Sequence, residues 1–121
     1  MRTLEFEKLV STALDELPPA IHEMLENIDV VIQIWPTREQ MIENDLSNKH
    51  DILGLYEGVP LTDRASDYGM VLPDRITIFQ GALEAAFPRP DELVEEVRAT
   101  VVHEIAHHFG WGDEEIQAMG Y

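Results

Sequence analysis

The order of the elements in this sequence predicts an α+β fold, in which a small mixed β-sheet packs on a long helix and further helices lie at the N-terminus. Three observations support this class. Apolar residues recur at helical spacing near the N-terminus, short segments rich in β-branched residues follow, and a long amphipathic pattern comes near the C-terminus. The 121 residues contain no internal repeat and no domain boundary, so we expect residues 1–121 to form a single domain.

The N-terminal part predicts two helices and a strand. Apolar positions at helical spacing predict an amphipathic helix over residues 3–17, with Thr3 as its N-cap. A short helix that begins with proline follows in PPAIHEMLEN, with Ile21, Met24 and Leu25 facing inward. The segment IDVVIQIWP is apolar on both faces, so we predict a strand that is central in the sheet.

The middle of the chain predicts two further strands. The polar residues 37–49 precede them and are expected to contain one helical turn, around residues 39–42. The segment DILGLYEG predicts the second strand, interrupted by Gly54, and DRITIFQG predicts the third by its alternation of apolar and polar residues. The long connection between them is rich in turn formers, and connections of this length often carry function. The segment ALEAAFP predicts a short helix after the third strand.

The C-terminal part predicts the longest helix in RPDELVEEVRATVVHEIAHHFG, with Asp91 as its N-cap and Gly110 as its C-cap. A last short helix is predicted over residues 113–119. The long helix has an apolar stripe that faces away from His103 and His107, formed by Val94, Val97, Val101, Val102, Ile105 and Phe109. This stripe would place the helix on the core and turn the two histidines towards a cleft.

The composition excludes several classes of function. Acidic residues outnumber basic ones by 24 to 8, for a formal charge of −16, so neither nucleic acid nor an anionic membrane surface is an expected partner. A divalent metal or a basic peptide segment suits this charge better. The absence of cysteine excludes disulfides and thiolate metal ligands. The N-terminus, MRTLEFEKLV, has acidic residues where a signal peptide is apolar, and we therefore expect a cytoplasmic protein.

Two histidines four residues apart, with a glutamate between them, form the pattern that carries the chemistry. Residues four apart on a helix differ by only about 40° in direction, so His103 and His107 can share a metal. Glu104 lies about 100° from His103 by the same geometry, outside the coordination sphere but within reach of a metal-bound water. Such a glutamate is placed to act as a general base. The alternative is an accidental cluster on an acidic helix.

A catalytic zinc ion needs three protein ligands and an open position. Gly110 allows the chain to turn back at the end of the helix, and Asp113 is then the expected third ligand. Glu114 and Glu115 are alternatives, although their place in the first turn of a helix explains them equally well. The pattern HExxHxxGxxD therefore predicts one Zn²⁺ per chain, held by His103, His107 and Asp113.

At these residues the chain resembles the zincin metallopeptidases, and more specifically the Asp-zincins, whose pattern is HExxHxxGxxD. It is most similar to a family of very small bacterial zincin-like proteins, in which LGLYEGVPL and LPDRITIF precede VVHEIAHHFG. All three segments are present here. The resemblance implies a zincin-like fold with a cleft between the sheet and the active-site helix. It also implies that His103, His107 and Asp113 bind zinc and that Glu104 is the catalytic base.

Three functional hypotheses remain open at this point. The first is a zinc-dependent peptidase that acts on a peptide or protein substrate, which the strand around residues 76–79 would bind by β-addition. The second is a zincin-like metal-binding or regulatory domain without peptidase activity, and the third is a structural metal site. Tyr56 and Tyr68 are further candidates, as donors to a developing oxyanion. His108 is expected to be exposed near the end of the long helix. Oligomeric state cannot be read from the sequence.

Overall fold

The structure, a computed structural model, describes residues 1–58 and 73–121. Within these ranges the elements follow in the order α1 (Thr3–Asp15), α2 (Pro19–Leu25), β1 (Ile28–Gln33), α3 (Arg38–Glu43), β2 (Gly54–Glu57), β3 (Asp74–Phe79), α4 (Gln80–Ala86), α5 (Pro90–Phe109) and α6 (Asp113–Ala118). This arrangement confirms the predicted α+β class. The predicted long connection between β2 and β3 falls largely on residues 59–72, which lie outside the described residues.

The three described strands form one mixed sheet with β3 in the middle. β1 pairs with β3 in parallel, and β2 pairs with β3 antiparallel on the other side. The prediction that β1 is central is therefore wrong for the described sheet. The error has a physical reason: apolar residues on both faces of a strand show that both faces are covered, and this says nothing about neighbours along its edges. α2 packs against β1, and Val30 and Ile32 contact the core.

β3 is the most deeply buried strand. Ile76, Thr77, Ile78 and Phe79 are fully buried, so both faces of this strand are covered, whereas alternation had suggested one polar face. Because β1 and β2 occupy its two edges, β3 has no edge left to which a substrate strand could be added. The prediction of β-addition along residues 76–79 is therefore wrong.

The core lies between the sheet and the helices α1, α2 and α5. Side chains from each of these elements are almost completely buried there, among them Phe6, Val10, Ile21, Ile76, Ile78, Val97, Val101 and Ile105. Ile116 adds the last helix, α6, to the same cluster. Among the helices of the described ranges, none is both long enough and apolar enough to cross a membrane.

The boundaries of α5 differ from the prediction at one end. Its N-cap is Arg89 and Pro90 is the first helical residue, so the predicted N-cap Asp91 lies inside the first turn. Proline has its φ angle preset for a helix and lacks the N–H that a first turn leaves unpaired, which moves the start of the helix earlier. Similarly, α1 has Arg2 rather than Thr3 as its N-cap. The predicted C-cap Gly110 is confirmed, with a left-handed φ of 70°.

The buried face of α5 agrees with most of the predicted apolar stripe. Val97, Val101, Val102 and Ile105 are fully buried, and the two histidines of the motif are exposed. Val94 is only half-buried, and Phe109, the last residue of the helix, is 48% exposed. Leu93, Thr100 and Ala106 are buried instead, which widens the face on which the helix packs.

Candidate active site

His103 and His107 project from the exposed side of α5, one turn apart, as the motif predicts. Within the described part of the chain, neither imidazole forms a hydrogen bond or an ion pair. Neutral imidazole nitrogens are among the preferred ligands of zinc in proteins. The pair can therefore offer two nitrogen ligands from one helix without first losing a contact to another described residue.

Glu104 lies in the cleft between α5 and β2. Its carboxylate is half-buried, and Oε1 accepts a hydrogen bond of 3.2 Å from the backbone N–H of Tyr56. This bond joins the motif helix directly to strand β2, across 48 residues of sequence. The other carboxylate oxygen, Oε2, accepts no hydrogen bond from any residue in the described ranges. The backbone of β2 therefore fixes one end of the carboxylate and leaves the other end available to a water molecule.

The cleft also changes the acidity of Glu104. Burial, which penalises the charged form, raises the pKa of the Glu104 carboxyl above its usual value. The Tyr56 N–H and the two neighbouring imidazoles act in the opposite direction but do not cancel this rise. A carboxyl group with a raised pKa is a better proton acceptor and donor near neutral pH than an ordinary surface glutamate.

Gly54 allows α5 to approach β2 closely enough for this contact. A Cβ atom placed on Gly54 would lie 2.5 Å from Cγ2 of Thr100 and 3.3 Å from the carbonyl oxygen of Thr77. It would also lie 3.7 Å from Cγ of Glu104. Glycine is therefore required here by the close packing of helix on strand, and β2 begins at this residue rather than being interrupted by it.

The predicted third ligand, Asp113, is the first residue of α6 and is exposed. Between α5 and Asp113 the chain turns at Gly110, and the Trp111 N–H donates a hydrogen bond of 2.8 Å to the carbonyl of Ala106 in this turn. In the described ranges, no three His, Asp or Glu side chains lie close enough together to hold a metal. Asp113 as a ligand therefore stays a prediction.

The two alternative third ligands lie in the same first turn. Oε2 of Glu115 accepts a hydrogen bond of 2.8 Å from the N–H of Gly112, so this carboxylate caps the N-terminus of α6. Glu114 is exposed beside it. This contact supports a structural role for Glu115, as a cap at a helix N-terminus, over a role as a metal ligand.

The residues after α6 pack inward. Met119 and Tyr121 are partly buried against the core, and the Tyr121 N–H donates to the carbonyl of Ile116 at 3.1 Å. The final segment therefore contacts the same apolar cluster on which α5 rests.

A second cluster of polar side chains joins the C-terminal end of α5 to the sheet. The Tyr56 hydroxyl donates to Oδ2 of Asp74 at 2.6 Å, and Asp74 is only 7% exposed. The His108 ring stacks on the Tyr56 ring with centroids 3.9 Å apart, and its Nε2 lies 3.9 Å from the same Asp74 oxygen. His108 is exposed as predicted, with 38% of its side chain accessible, but its ring stack was not foreseen.

This cluster tests the prediction that Tyr56 donates to a developing oxyanion. Tyr56 directs its hydroxyl proton at Asp74, so its backbone N–H, not its hydroxyl, contacts the candidate catalytic residue. Tyr68 lies outside the described residues. Tyr56 is therefore better described as a residue that positions Glu104.

Sequence reasoning missed the residues that position Glu104. The glycine within the second predicted strand was a usable signal, because glycine in a strand often marks the close approach of another segment. Asp74 carried no signal, since a single aspartate before a strand is ordinary in sequence. Its burial, and the hydrogen bond from Tyr56, follow only from the pairing of β2 with β3.

These features define a class: an α+β protein that exposes an HExxH pair on its longest described helix, beside a half-buried glutamate. The sequence profile of the zincin-like metallopeptidases matches residues 25–121. Because the match covers most of the chain, the protein belongs to the zincin-like metallopeptidase family. Membership of this family implies that the chain binds zinc. No protein of curated function matches the chain significantly.

Proposed function

We propose that the protein is a zinc-dependent peptidase that hydrolyses a peptide bond by the attack of water, with Glu104 as general base. One observation carries this proposal. In a member of the zincin-like metallopeptidase family, the glutamate of the motif lies in a cleft, held by the backbone of β2, beside two exposed histidines. A glutamate on a solvated helix face would need no such contact.

The donor set on α5 fits zinc. Two imidazoles on consecutive turns match the nitrogen ligands that zinc prefers, and a carboxylate is an acceptable third ligand. His103 and His107 would hold the metal, and Asp113 would complete the ligand set. When bound, zinc acidifies water and polarises the substrate carbonyl.

Glu104 would carry out both proton transfers of the reaction. Oε2 of Glu104 takes the proton of the attacking water, while Oε1 stays hydrogen-bonded to the Tyr56 N–H. The same carboxyl then gives that proton to the leaving amine when the C–N bond breaks. Strand β2 keeps the carboxylate in one orientation during both transfers, which lowers the entropic cost of each.

The test compares three variants, two of them with a matched control, and each protein is assayed for zinc content and for cleavage of a diverse peptide library. Glu104→Gln should retain zinc and lose about 10²–10⁴-fold in hydrolysis, the usual contribution of a general base. His107→Ala should lose zinc, whereas His108→Ala, which changes the adjacent histidine, should retain it.

The remaining pair tests the third ligand. Asp113→Asn should weaken zinc binding by more than the 10–100-fold that loss of an outer-shell partner causes, and Glu114→Gln should not. Equal zinc affinity in Asp113→Asn and the wild type would show that another group completes the ligand set. Failure of the zinc-loaded wild type to cleave any peptide would refute the peptidase function.

A second candidate function is a zincin-like metal-binding or regulatory domain without physiological peptidase activity. It is supported by the exposed histidine pair on α5 together with membership of the zincin-like family, since these two features provide for metal binding and require no hydrolytic step. Under this hypothesis His107→Ala would still lose zinc, but neither the wild type nor Glu104→Gln would hydrolyse peptides. The experiment above therefore separates the two functions.

A further inference from the structure

A cavity of about 340 Å³ opens beside the candidate catalytic residue. His103 and Glu104 line one end of it, and Glu96 lines the other, two turns earlier on α5. The eight residue steps from Glu96 to Glu104 correspond to about 12 Å along the helix axis. The opposite wall is the segment of chain that leads into β2, residues 51–54. The cavity is therefore a groove that runs from the candidate reaction centre along the helix.

Three of the side chains that line the groove between its two ends are apolar, and Thr100 lies among them. Ile52 and Leu53 line it from the strand side and Ala99 from the helix side, and all three are half-buried. These side chains give an extended hydrocarbon chain a surface on which to pack. They contain no hydrogen-bonding group that would recognise a polar side chain along its length.

Two carboxylates besides that of Glu104 line the groove and make it acidic. Glu96 is half-buried and Asp51 is exposed, and neither forms an ion pair with another described residue. The basic side chains nearest to them in sequence are engaged elsewhere. Arg98 pairs with Glu16 and Glu95, and the Lys49 ammonium lies 4.3 Å from the centroid of the Trp35 ring. The groove therefore offers negative charge that no neighbouring cation in the described ranges neutralises.

We propose that this groove is a substrate subsite for a basic side chain, arginine or lysine, on a residue adjoining the scissile bond. The methylene groups of such a side chain would pack on Ile52, Leu53 and Ala99, and its cationic end would meet Glu96 and Asp51. A purely apolar side chain would instead cover the Glu96 carboxylate without pairing it, at a desolvation cost. The net charge of −16 would also attract basic peptides over a longer range.

This inference rests on the proposed function, and the experiment therefore has a catalytic arm and a binding arm. Four peptides are used that differ only in the residue beside the scissile bond: arginine, norleucine, glutamine or glutamate. The catalytic arm measures kcat/KM with the zinc-loaded protein. The binding arm measures Kd for the same peptides with metal-free protein, by fluorescence anisotropy, and so needs no hydrolysis.

Glu96→Gln is the test variant and Glu92→Gln its matched control. Glu92 lies one turn earlier on the same helix, does not line the groove, and is exposed beside Arg89. Both variants change the net charge equally. In the wild type we expect arginine to be preferred over norleucine by about tenfold in both arms, as one charge-assisted hydrogen bond implies. Glu96→Gln should abolish most of this preference, and Glu92→Gln should leave it unchanged.

The outcomes separate this inference from the proposed function. Cleavage without a preference for basic residues, or a preference that Glu96→Gln and Glu92→Gln reduce equally, overturns the subsite and leaves the peptidase function standing. Binding of the arginine peptide that depends on Glu96, without any cleavage, supports the subsite and refutes the peptidase function. Absence of both binding and cleavage refutes both.

Discussion

The packing of α5 on β2 at Gly54 yields the most specific prediction. In Gly54→Ala the new methyl group would lie 2.5 Å from Cγ2 of Thr100, a distance that real Cβ atoms essentially never show. Thr100 is buried, so the closely packed core leaves its side chain little room to rotate away. The helix must therefore move away from the strand, which strains the hydrogen bond between the Tyr56 N–H and Glu104.

Overpacking of this kind costs typically about 1–3 kcal/mol. Loss of glycine's freedom in the unfolded chain offsets about 0.4–1 kcal/mol of that. Thr100→Ser removes the clashing methyl and should alone cost about 0.5–1.5 kcal/mol, like other deletions of one buried methyl. If the clash is the cause, the double variant Gly54→Ala/Thr100→Ser should be more stable than the sum of the two changes predicts, by about 1–2 kcal/mol.

Urea unfolding of the four proteins, followed by tryptophan fluorescence and circular dichroism, measures this coupling directly. Each kcal/mol should also appear as a change of about 4 °C in Tm for a chain of this size. Additive effects of the two substitutions, within about 0.3–0.5 kcal/mol, would refute the proposed contact between Gly54 and Thr100. The metal-free protein should be used, so that zinc binding does not add to the stability measured.

Three further predictions test other parts of the site. Gly110→Ala should lower the free energy of unfolding by about 1–2 kcal/mol, because φ is 70° at this C-cap. Gly110→Asn should lower it by less, since asparagine adopts this left-handed conformation more readily than alanine. Equal thermal stability of Gly110→Ala and the wild type would contradict this prediction. Tyr56→Phe should cost about 1.5–3 kcal/mol in urea unfolding, because the buried Asp74 carboxylate loses a hydrogen-bond donor, and an unchanged midpoint would show that the bond contributes nothing. The raised pKa of Glu104 means that the metal-free protein loses stability from this group as the pH rises through its folded-state pKa, whereas in acid the protonated carboxyl costs nothing. Metal-free Glu104→Gln should therefore gain stability relative to wild type on going from acid to neutral pH, and a constant difference across that range would refute the pKa direction.

Most elements could be read from the sequence because their signals are local. The capping glycine of α5, the proline that starts α2 and the alternation in β3 depend on residues close together along the chain. The order of strands could not be read in this way. Hydrophobic faces report which layers cover a strand, and the placement of β3 between β1 and β2 depends on pairing between distant segments.

The residues of the candidate site also differ in whether local sequence patterns could predict their placement. The sequence alone determined that His103, Glu104 and His107 lie on one helix and that its apolar face leaves the two histidines in solvent, because helical periodicity fixes both. Only the tertiary structure decided that the backbone of β2 holds Glu104, and that the groove beside it ends in acidic side chains. The physical reason is that these contacts join residues about 50 positions apart, whose approach depends on the close packing of α5 against Gly54.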